Sequence, residues 1–228
     1  MRIKLNPRDP EALRLVRDVV ANGGVIVYPT DTVYGIGCDP FRPEAVEKVY
    51  RIKRREEKPM PVLVSRPSKV AEIAEVNPVA VFLMGEFWPG ALTIVMRAKG
   101  SIPEKLIAEG KVGVRMPNHE LALKVIDASG GALVGTSANV SGCPPARSLD
   151  ELDPRIEGGA DAVIEADGGG SKPLGMASTV ILIEMDEARQ TTAGRVVPKI
   201  KLLRRGGIEA DLIKKKLSEE EDTEFEWI

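Results

Sequence analysis

The stretch from Val25 to Asp39, VIVYPTDTVYGIGCD, is the feature that most constrains the fold of this chain. It begins with four apolar, β-favouring residues and then changes abruptly to Pro29, two threonines around Asp31, and glycines at 35 and 37. In α/β proteins, a buried strand that ends in small and hydroxyl residues often delivers them to a small-molecule site. The stretch therefore predicts a buried strand whose end contributes to a ligand-binding site.

Apolar periodicity predicts alternating helices and strands along the rest of the chain. Helices are predicted over 9–21, from Pro43, over 119–129, and over IEADLIKKKL near the C-terminus. Strands are predicted over 61–65, 161–166, 178–184 and RVVPKIKLLRR. The last strands follow one another with little helix between them, which favours a mixed sheet over a purely parallel one. The fold class is therefore α/β with a mostly mixed sheet and flanking helices.

The net charge of −2 conceals an asymmetry between the body of the chain and its C-terminus. Residues 218–228 hold six acids and no base, whereas the rest carries 32 bases against 28 acids. No other composition break divides the chain. We predict one domain over 1–217, followed by an acidic tail over 218–228 that is mobile or loosely docked. An acidic flap over a basic site is the alternative.

Several protein classes are disfavoured by the composition. No apolar run approaches the roughly 18 residues of a membrane helix, and the N-terminus lacks the apolar core of a signal peptide. A cytoplasmic location is therefore expected. Cys38 and Cys143 lack CxxC spacing and a nearby histidine, so no metal site is predicted. We expect reduced thiols, with a disulfide open only if the two loops meet.

Familiar catalytic and nucleotide motifs are missing from the sequence. It contains no P-loop, no Rossmann G-x-G-x-x-G and no G-x-S-x-G elbow. The only histidine, His119, begins a predicted helix and is expected to be a cap or surface residue rather than a base. A nucleotide, if one binds, would be held by a different architecture.

Six cations lie within eleven residues: Lys48, Arg51, Lys53, Arg54, Arg55 and Lys58. If this segment is extended, Lys53 and Arg55 share one face. Arginine offers a planar fork for phosphate oxygens and lysine a compact charge. The segment is either an anion site or the solvated end of a helix, where cations also suit the dipole.

The loop TSANVSG at 136–142 follows the apolar run ALVG and separates Ser137 from Asn139 by one residue. Its hydroxyl, amide and backbone N–H groups suit a phosphate or a substrate carboxylate. The alternative is a turn in which Ser and Asn cap local backbone groups.

The motifs occur in one order along the chain: PTDTVYGIG, K-x-R with a following KP, GVRMP, TSANVSG, DGGG with STV, and LLRRGGI. Together they resemble the YrdC-like family of threonylcarbamoyl-AMP synthases, in its single-domain form, over residues from about 9 to 210. The resemblance implies a twisted α/β sheet with a concave basic face, and 1–217 as the catalytic domain. It also implies a reaction of ATP, L-threonine and bicarbonate that gives threonylcarbamoyl-adenylate and pyrophosphate, with Mg²⁺ accompanying ATP. The product would pass to tRNA-modifying machinery that makes threonylcarbamoyladenosine.

The resemblance also implies residue roles. It assigns six residues to ATP: Lys53, Arg55, Lys58, Ser137, Asn139 and Arg204. It assigns three residues to threonine: Thr32, Arg115 and Ser178. No general acid or base is implied, because charge at a phosphoryl centre is stabilised by preorganised cations and donors.

Three positions depart from the family pattern. Glu56 stands where Pro is usual after K-x-R, and the short spacing to Lys58 is closer to the YrdC-like module of hydrogenase-maturation carbamoyltransferases. Residues 144–146 read PPA where a Ser-Pro-Thr-like string is expected, and Arg205 replaces a usual Pro.

Two other functions remain open at this point. One is an RNA-binding module of the same fold, which would hold RNA or tRNA phosphates without catalysis. The other is an enzyme that makes a carbamoyl-adenylate from carbamoyl phosphate. A threonine site over Thr32, Arg115 and Ser178 distinguishes the synthase from both.

Overall fold

The computed structural model of the 228-residue chain describes residues 2–5, 9–56, 58–166, 175–190, 196–219 and 226–227. The helices are α1 (Pro10–Ala21), α2 (Pro43–Lys53), α3 (Val70–Ile73), α4 (Pro78–Phe87), α5 (Glu120–Ala128), α6 (Pro154–Gly159) and α7 (Ala210–Glu219). The strands are β1 (Arg2–Leu5), β2 (Ile26–Tyr28), β3 (Gly35–Gly37), β4 (Val62–Val64), β5 (Leu92–Arg97), β6 (Lys111–Arg115), β7 (Ala132–Val134), β8 (Thr136–Ser137), β9 (Ala162–Ala166), β10 (Thr179–Gln190), β11 (Val196–Arg204) and β12 (Glu226–Trp227). The DGGG motif, residues 167–170, lies outside the described residues.

The strands form two twisted mixed sheets flanked by helices, which confirms the α/β class. One sheet has the order β1-β9-β2-β3-β8 and the other β12-β11-β10-β5-β6-β4-β7. In the larger sheet β10 pairs parallel with β5, while β5–β6 and β10–β11 are antiparallel. The mixed pairing is as predicted, but it is distributed over two sheets rather than one.

The two sheets meet at a close crossing of β3 and β7. The backbone N–H of Val134 donates to the carbonyl of Cys38 over 2.9 Å. A Cβ at Gly37 would lie 1.8 Å from the Val134 carbonyl oxygen, so only glycine allows this approach. The glycine at the end of the first motif is therefore needed to join the sheets.

Helix α1 forms as its sequence predicts. The Asp9 carboxylate accepts from the backbone N–H groups of Glu11 and Ala12, and Pro10 occupies the first turn. Its buried face packs with α5 against one side of the smaller sheet. The main hydrophobic core lies on the other side and extends under the larger sheet.

Helix α2 corrects the expectation of an extended cationic segment. The helix continues through Lys53 and ends at Arg54, whose φ of 48° is left-handed. Val46, Val49 and Tyr50 carry the buried apolar face of the helix to its last turn, and this burial outweighs any extended preference. Lys53 and Arg55 are therefore separated by a helix end rather than aligned on a strand.

The described part of the acidic tail contacts the domain. Helix α7 reaches Glu219, and β12 pairs parallel with β11, with Trp227 opposite Ile200. The Lys214 ammonium lies 4.9 Å from the centre of the Trp227 ring. A domain boundary at 217–218 remains a prediction. Within the described part of the chain, none of the helices is long and apolar enough to cross a membrane.

Candidate active site

A cavity of about 620 Å³ opens at the junction of the two sheets. Alternate residues of β5, β6, β10 and β11 form its floor, because every second side chain of a strand faces the same side. The ends of the first motif and of β8 form the opposite wall. Its volume is within the range of small-molecule sites, roughly 300–1,000 Å³.

The cavity is strongly cationic. The charged residues that line it are Arg55, Lys111, Arg115, Lys201, Arg204 and one acid, Glu109. Lys111 is paired with Glu184 at 2.8 Å and with Glu109 at 3.7 Å. Arg115 is also paired, with Asp31, so the excess of positive charge comes from Arg55, Lys201 and Arg204, and it favours a polyanionic ligand.

The three residues predicted for threonine are brought together on the cavity wall. Arg115 of β6 donates from Nη1 to Thr32 Oγ1 over 3.2 Å and from Nε to the Gly90 carbonyl over 2.8 Å. Ser178 precedes β10 and lines the same cavity. Arg115 is 6% exposed, and this burial lowers the pKa of its guanidinium while Asp31 opposes the shift.

Arg115 has an internal carboxylate partner, a possibility that the charge at the end of an apolar strand leaves open without identifying the residue. Its Nη2 lies 2.5 Å from Asp31 Oδ1, and Asp31 is also buried. A guanidinium carries five N–H groups, of which these contacts use three. Within the part of the chain that the structure describes, two N–H groups thus remain for a ligand. The only signal for Asp31 in the sequence was its place between two threonines at the end of a buried strand.

Ser178 and Arg204 connect the residues predicted for threonine and for ATP. Arg204 donates from Nη2 to Ser178 Oγ over 2.9 Å and to the Ser178 carbonyl over 2.8 Å. Ser178 Oγ also lies 2.8 Å from Thr93 Oγ1, and both side chains are buried. Thr93 is a further polar residue on the cavity floor, and no motif indicated it.

The predicted K-x-R and S-x-N residues divide into two groups. Arg55 and Ser137 line the cavity, whereas Asn139 is bonded within the loop 137–143 and Lys53 supports that loop from α2. Lys53 is 1% exposed, and its ammonium donates to the carbonyls of Ser137 and Asn139. Burial, with a contribution from the Arg55 charge, lowers the pKa of Lys53 to about 7.

The loop after α2 is held by Arg55 itself. Arg55 Nε donates to the Lys58 carbonyl over 2.8 Å and Nη2 to the Pro59 carbonyl over 3.2 Å. The exposed Lys58 contributes a carbonyl here, and its side chain is not among the described groups that line the cavity. None of the described residues accepts from Arg55 Nη1, which is therefore left for a ligand.

The remaining candidates lie away from the cavity. His119 caps α5, because its Nδ1 accepts from the backbone N–H of Ala122 over 3.2 Å. This confirms the prediction of a cap residue. It is 6% exposed and therefore not a surface residue, and burial lowers its pKa. Cys38 is buried and Cys143 exposed, and both thiols are free.

Comparison with known proteins shows which family the chain belongs to. A family model described as "Telomere recombination", for Sua5, YciO and YrdC proteins, matches residues 18–206. A putative threonylcarbamoyl-AMP synthase of Methanocaldococcus jannaschii is 34% identical over 195 residues, covering 85% of this chain and 90% of the relative. The threonylcarbamoyl-AMP synthase of Alkalilimnicola ehrlichii is 39% identical over 147 residues, covering 64% of this chain and 76% of the relative.

A solved structure gives the same result for the fold. The crystal structure of P. abyssi Sua5 complexed with L-threonine superposes with a TM-score of 0.78 at 27% identity. The alignment covers 99% of this chain and 61% of Sua5, so this chain spans about three fifths of that protein. The family model matches residues 18–206, which is most of the chain, so this chain belongs to the Sua5/YciO/YrdC family.

Proposed function

We propose that this protein is a threonylcarbamoyl-AMP synthase. The observation that carries the proposal is one cationic cavity in which Arg115, Thr32 and Ser178 lie beside Arg55, Ser137 and Arg204. The first three suit an amino acid, and the second three suit a nucleotide. The named function of the relatives supports the same conclusion.

The reaction has two steps. The amine of L-threonine adds to the carbon of bicarbonate, and loss of water leaves N-carboxythreonine. A carbamate oxygen then attacks the α-phosphorus of ATP, and the bond to the bridging oxygen breaks with the electron pair leaving on pyrophosphate. The product is a mixed anhydride, threonylcarbamoyl-adenylate.

The cavity residues bind and orient the reactants. The two remaining N–H groups of Arg115 suit the threonine carboxylate in a bidentate pair. Arg55 and Arg204 supply fixed positive charge for the phosphates, which develop charge as pyrophosphate leaves. Lys53 and Asn139 act on the nucleotide indirectly, through the loop 137–143. A contact of Lys58 with ATP stays a prediction.

Mg²⁺ enters this reaction as the counterion of the substrate ATP. No group of three or more His, Cys, Asp or Glu side chains lies together among the described residues. Glu109, at the mouth, is the one carboxylate of the described cavity lining. Phosphate oxygens, rather than a carboxylate cluster of the protein, would therefore hold the ion.

The labile product requires a consumer. A mixed carbamic–phosphoric anhydride hydrolyses in water, so a transferase that moves the threonylcarbamoyl group to tRNA adenosine would take it up. A cytoplasmic location follows from that role and stays a prediction.

One assay tests the proposal. Pyrophosphate release is measured with ATP, L-threonine and ¹³C-bicarbonate present, and with each omitted in turn. We expect release only in the complete mixture, with the ¹³C in the product by mass spectrometry. Release without threonine would reject the synthase, and release with carbamoyl phosphate in place of threonine and bicarbonate would indicate a carbamoyl-adenylate enzyme. No turnover, with salt-sensitive RNA binding, would indicate the RNA-binding module.

A further inference from the structure

Lys53 contacts three residues of the loop 137–143, namely Ser137, Asn139 and Ser141. Its backbone carbonyl accepts from the Ser141 N–H over 2.9 Å. Its ammonium donates to the Ser137 carbonyl and, over 2.8 Å, to the Asn139 carbonyl. The third acceptor is Asn139 Oδ1 at 3.5 Å. An ammonium has three donors, so these three acceptors use its full capacity.

The amide of Asn139 has one orientation in this network. Its Nδ2 donates to the Cys143 carbonyl over 2.5 Å and to the Val140 carbonyl over 3.1 Å. Carbonyl oxygens only accept, so the nitrogen must face them and Oδ1 must face Lys53 and Ser137. The charged form of Lys53 reinforces the assignment, because an ammonium only donates.

This orientation determines the direction of the Ser137 hydroxyl. Ser137 Oγ lies 2.5 Å from Asn139 Oδ1, which can only accept, so the hydroxyl proton belongs to this bond. Ser137 lines the cavity. It therefore presents oxygen lone pairs to the ligand and has no proton left for a phosphate oxygen.

We propose that Lys53 is a positioning residue which, through Asn139, makes the Ser137 hydroxyl a hydrogen-bond acceptor for an N–H or O–H group of the substrate. This inference rests on the proposed function for the identity of the substrates. It departs from a direct contact of Lys53, Ser137 or Asn139 with phosphate. The donor is a ribose hydroxyl or the exocyclic amine of the nucleotide, or an O–H or N–H of the amino acid.

Calorimetric titration separates an acceptor from a phosphate ligand. The probes are ATP, 2′-deoxy-ATP, 3′-deoxy-ATP, inosine triphosphate, L-threonine, and inorganic tripolyphosphate as a competitor of ATP. The proteins are wild type, Ser137→Ala, Lys53→Met, their double variant, Arg55→Ala as the phosphate-contact reference, and Ser141→Ala as the control. Ser141 is an exposed serine of the same loop.

We expect Ser137→Ala to weaken the binding of ATP by about tenfold, which is the scale of one lost hydrogen bond. If the donor group lies on threonine, the binding of threonine should be weakened instead. In Ser137→Ala, the affinity for tripolyphosphate, measured by its competition with ATP, should stay within about twofold of wild type. Arg55→Ala should weaken this affinity. For the analogue that lacks the donor group, Ser137→Ala should cause no further loss of affinity. Lys53→Met reproduces the Ser137→Ala pattern, and the double variant adds nothing to it. Ser141→Ala matches wild type.

Two results would overturn the inference. One is a loss of tripolyphosphate binding in Ser137→Ala or Lys53→Met as large as in Arg55→Ala. The other is an equal Ser137→Ala penalty for every ligand, or none for any. If Lys53→Met does not fold, the Ser137→Ala series decides alone. These titrations do not require turnover, so a failed synthase assay and a failed acceptor assignment give separate results.

Discussion

The Arg115 guanidinium and the Asp31 carboxylate form a buried ion pair, 2.5 Å from Nη2 to Oδ1, at the wall of the cationic cavity. The pair joins β6 to the loop after β2, across 84 residues of sequence. It fixes the guanidinium plane while two N–H groups stay available. Preorganisation of this kind reduces the entropy lost when a ligand carboxylate binds.

The first prediction concerns Arg115→Ala. Threonine affinity should fall by one to two orders of magnitude, about 1.4–2.8 kcal/mol, because the carboxylate loses its bidentate partner. The melting temperature should also fall, because Asp31 becomes an unpaired buried charge.

Calorimetry and thermal denaturation of Arg115→Ala and of the double variant Arg115→Ala/Asp31→Ala check this. The double variant removes the unpaired charge, so it should recover part of the stability but none of the threonine affinity. Threonine binding within twofold of wild type in Arg115→Ala would confine this residue to a structural role.

The second prediction concerns Arg55. Arg55→Ala should lower kcat/KM by the equivalent of about 2–4 kcal/mol, the scale of one preorganised electrostatic donor. Arg55→Lys should also be harmful, because a point charge cannot replace a fork that holds the Lys58 and Pro59 carbonyls as well. The exposed neighbour Arg54 is the matched control, and Arg54→Ala should keep wild-type kinetics. Equal rates for Arg55→Ala and Arg54→Ala would remove Arg55 from the site.

Local sequence patterns predict the helices and strands, whereas the arrangement of the site depends on contacts between residues far apart in the sequence. The α1 cap and the strand before Pro29 depend on residues within one turn or one strand, so the sequence was sufficient. The partner of Arg115 lies 84 residues away. A local sequence pattern carries no information about contacts at that separation, so it does not identify Asp31 as the partner. The K-x-R spacing was similarly ambiguous until the burial of α2 placed Lys53 inside a helix.

The third prediction concerns Gly37→Ala. An added Cβ would meet the Val134 carbonyl oxygen at 1.8 Å, so β3 or β7 must move where the two sheets join. We expect a loss of about 2–4 kcal/mol of unfolding free energy, since rigid backbone cannot yield as a side chain does. Chemical denaturation measures it, with Gly100→Ala as the control, because nothing lies within 4 Å of a Cβ there. A variant as stable as wild type would contradict the close crossing.

The fourth prediction is a pH dependence from His119, the one histidine of the chain. Burial lowers its pKa in the folded state, and protonation of Nδ1 would remove the acceptor that caps α5. Below the ordinary pKa of about 6.5 the unfolded chain therefore binds more protons than the folded chain. Stability contributed by neutral His119 is present above this value and is lost as the pH falls through it towards the folded pKa.

Chemical denaturation between pH 5 and 8 tests this against His119→Asn, which keeps a good cap residue without a titrating group. The wild type should lose stability relative to the variant below about pH 6.5, with a slope no steeper than about 1.4 kcal/mol per pH unit. Parallel curves for the two proteins would contradict the assignment.

The last prediction concerns the C-terminus and decides between a docked segment and an acidic flap. Trp227 is half-buried against the core, pairs with β11 opposite Ile200, and receives the Lys214 ammonium over its ring. Its loss should therefore cost about 1–3 kcal/mol of unfolding free energy through lost apolar burial and cation–π contact. ATP affinity should stay within twofold of wild type, because Trp227 packs against the core beside Ile200, whereas Lys201 and Leu203 of β11 line the cavity. Thermal denaturation and ATP titration of Trp227→Ala and of a chain ending at Glu219 measure both quantities. Tighter ATP binding in the shortened chain, with unchanged stability in both variants, would instead show that the acidic segment competes with ATP for the cationic cavity.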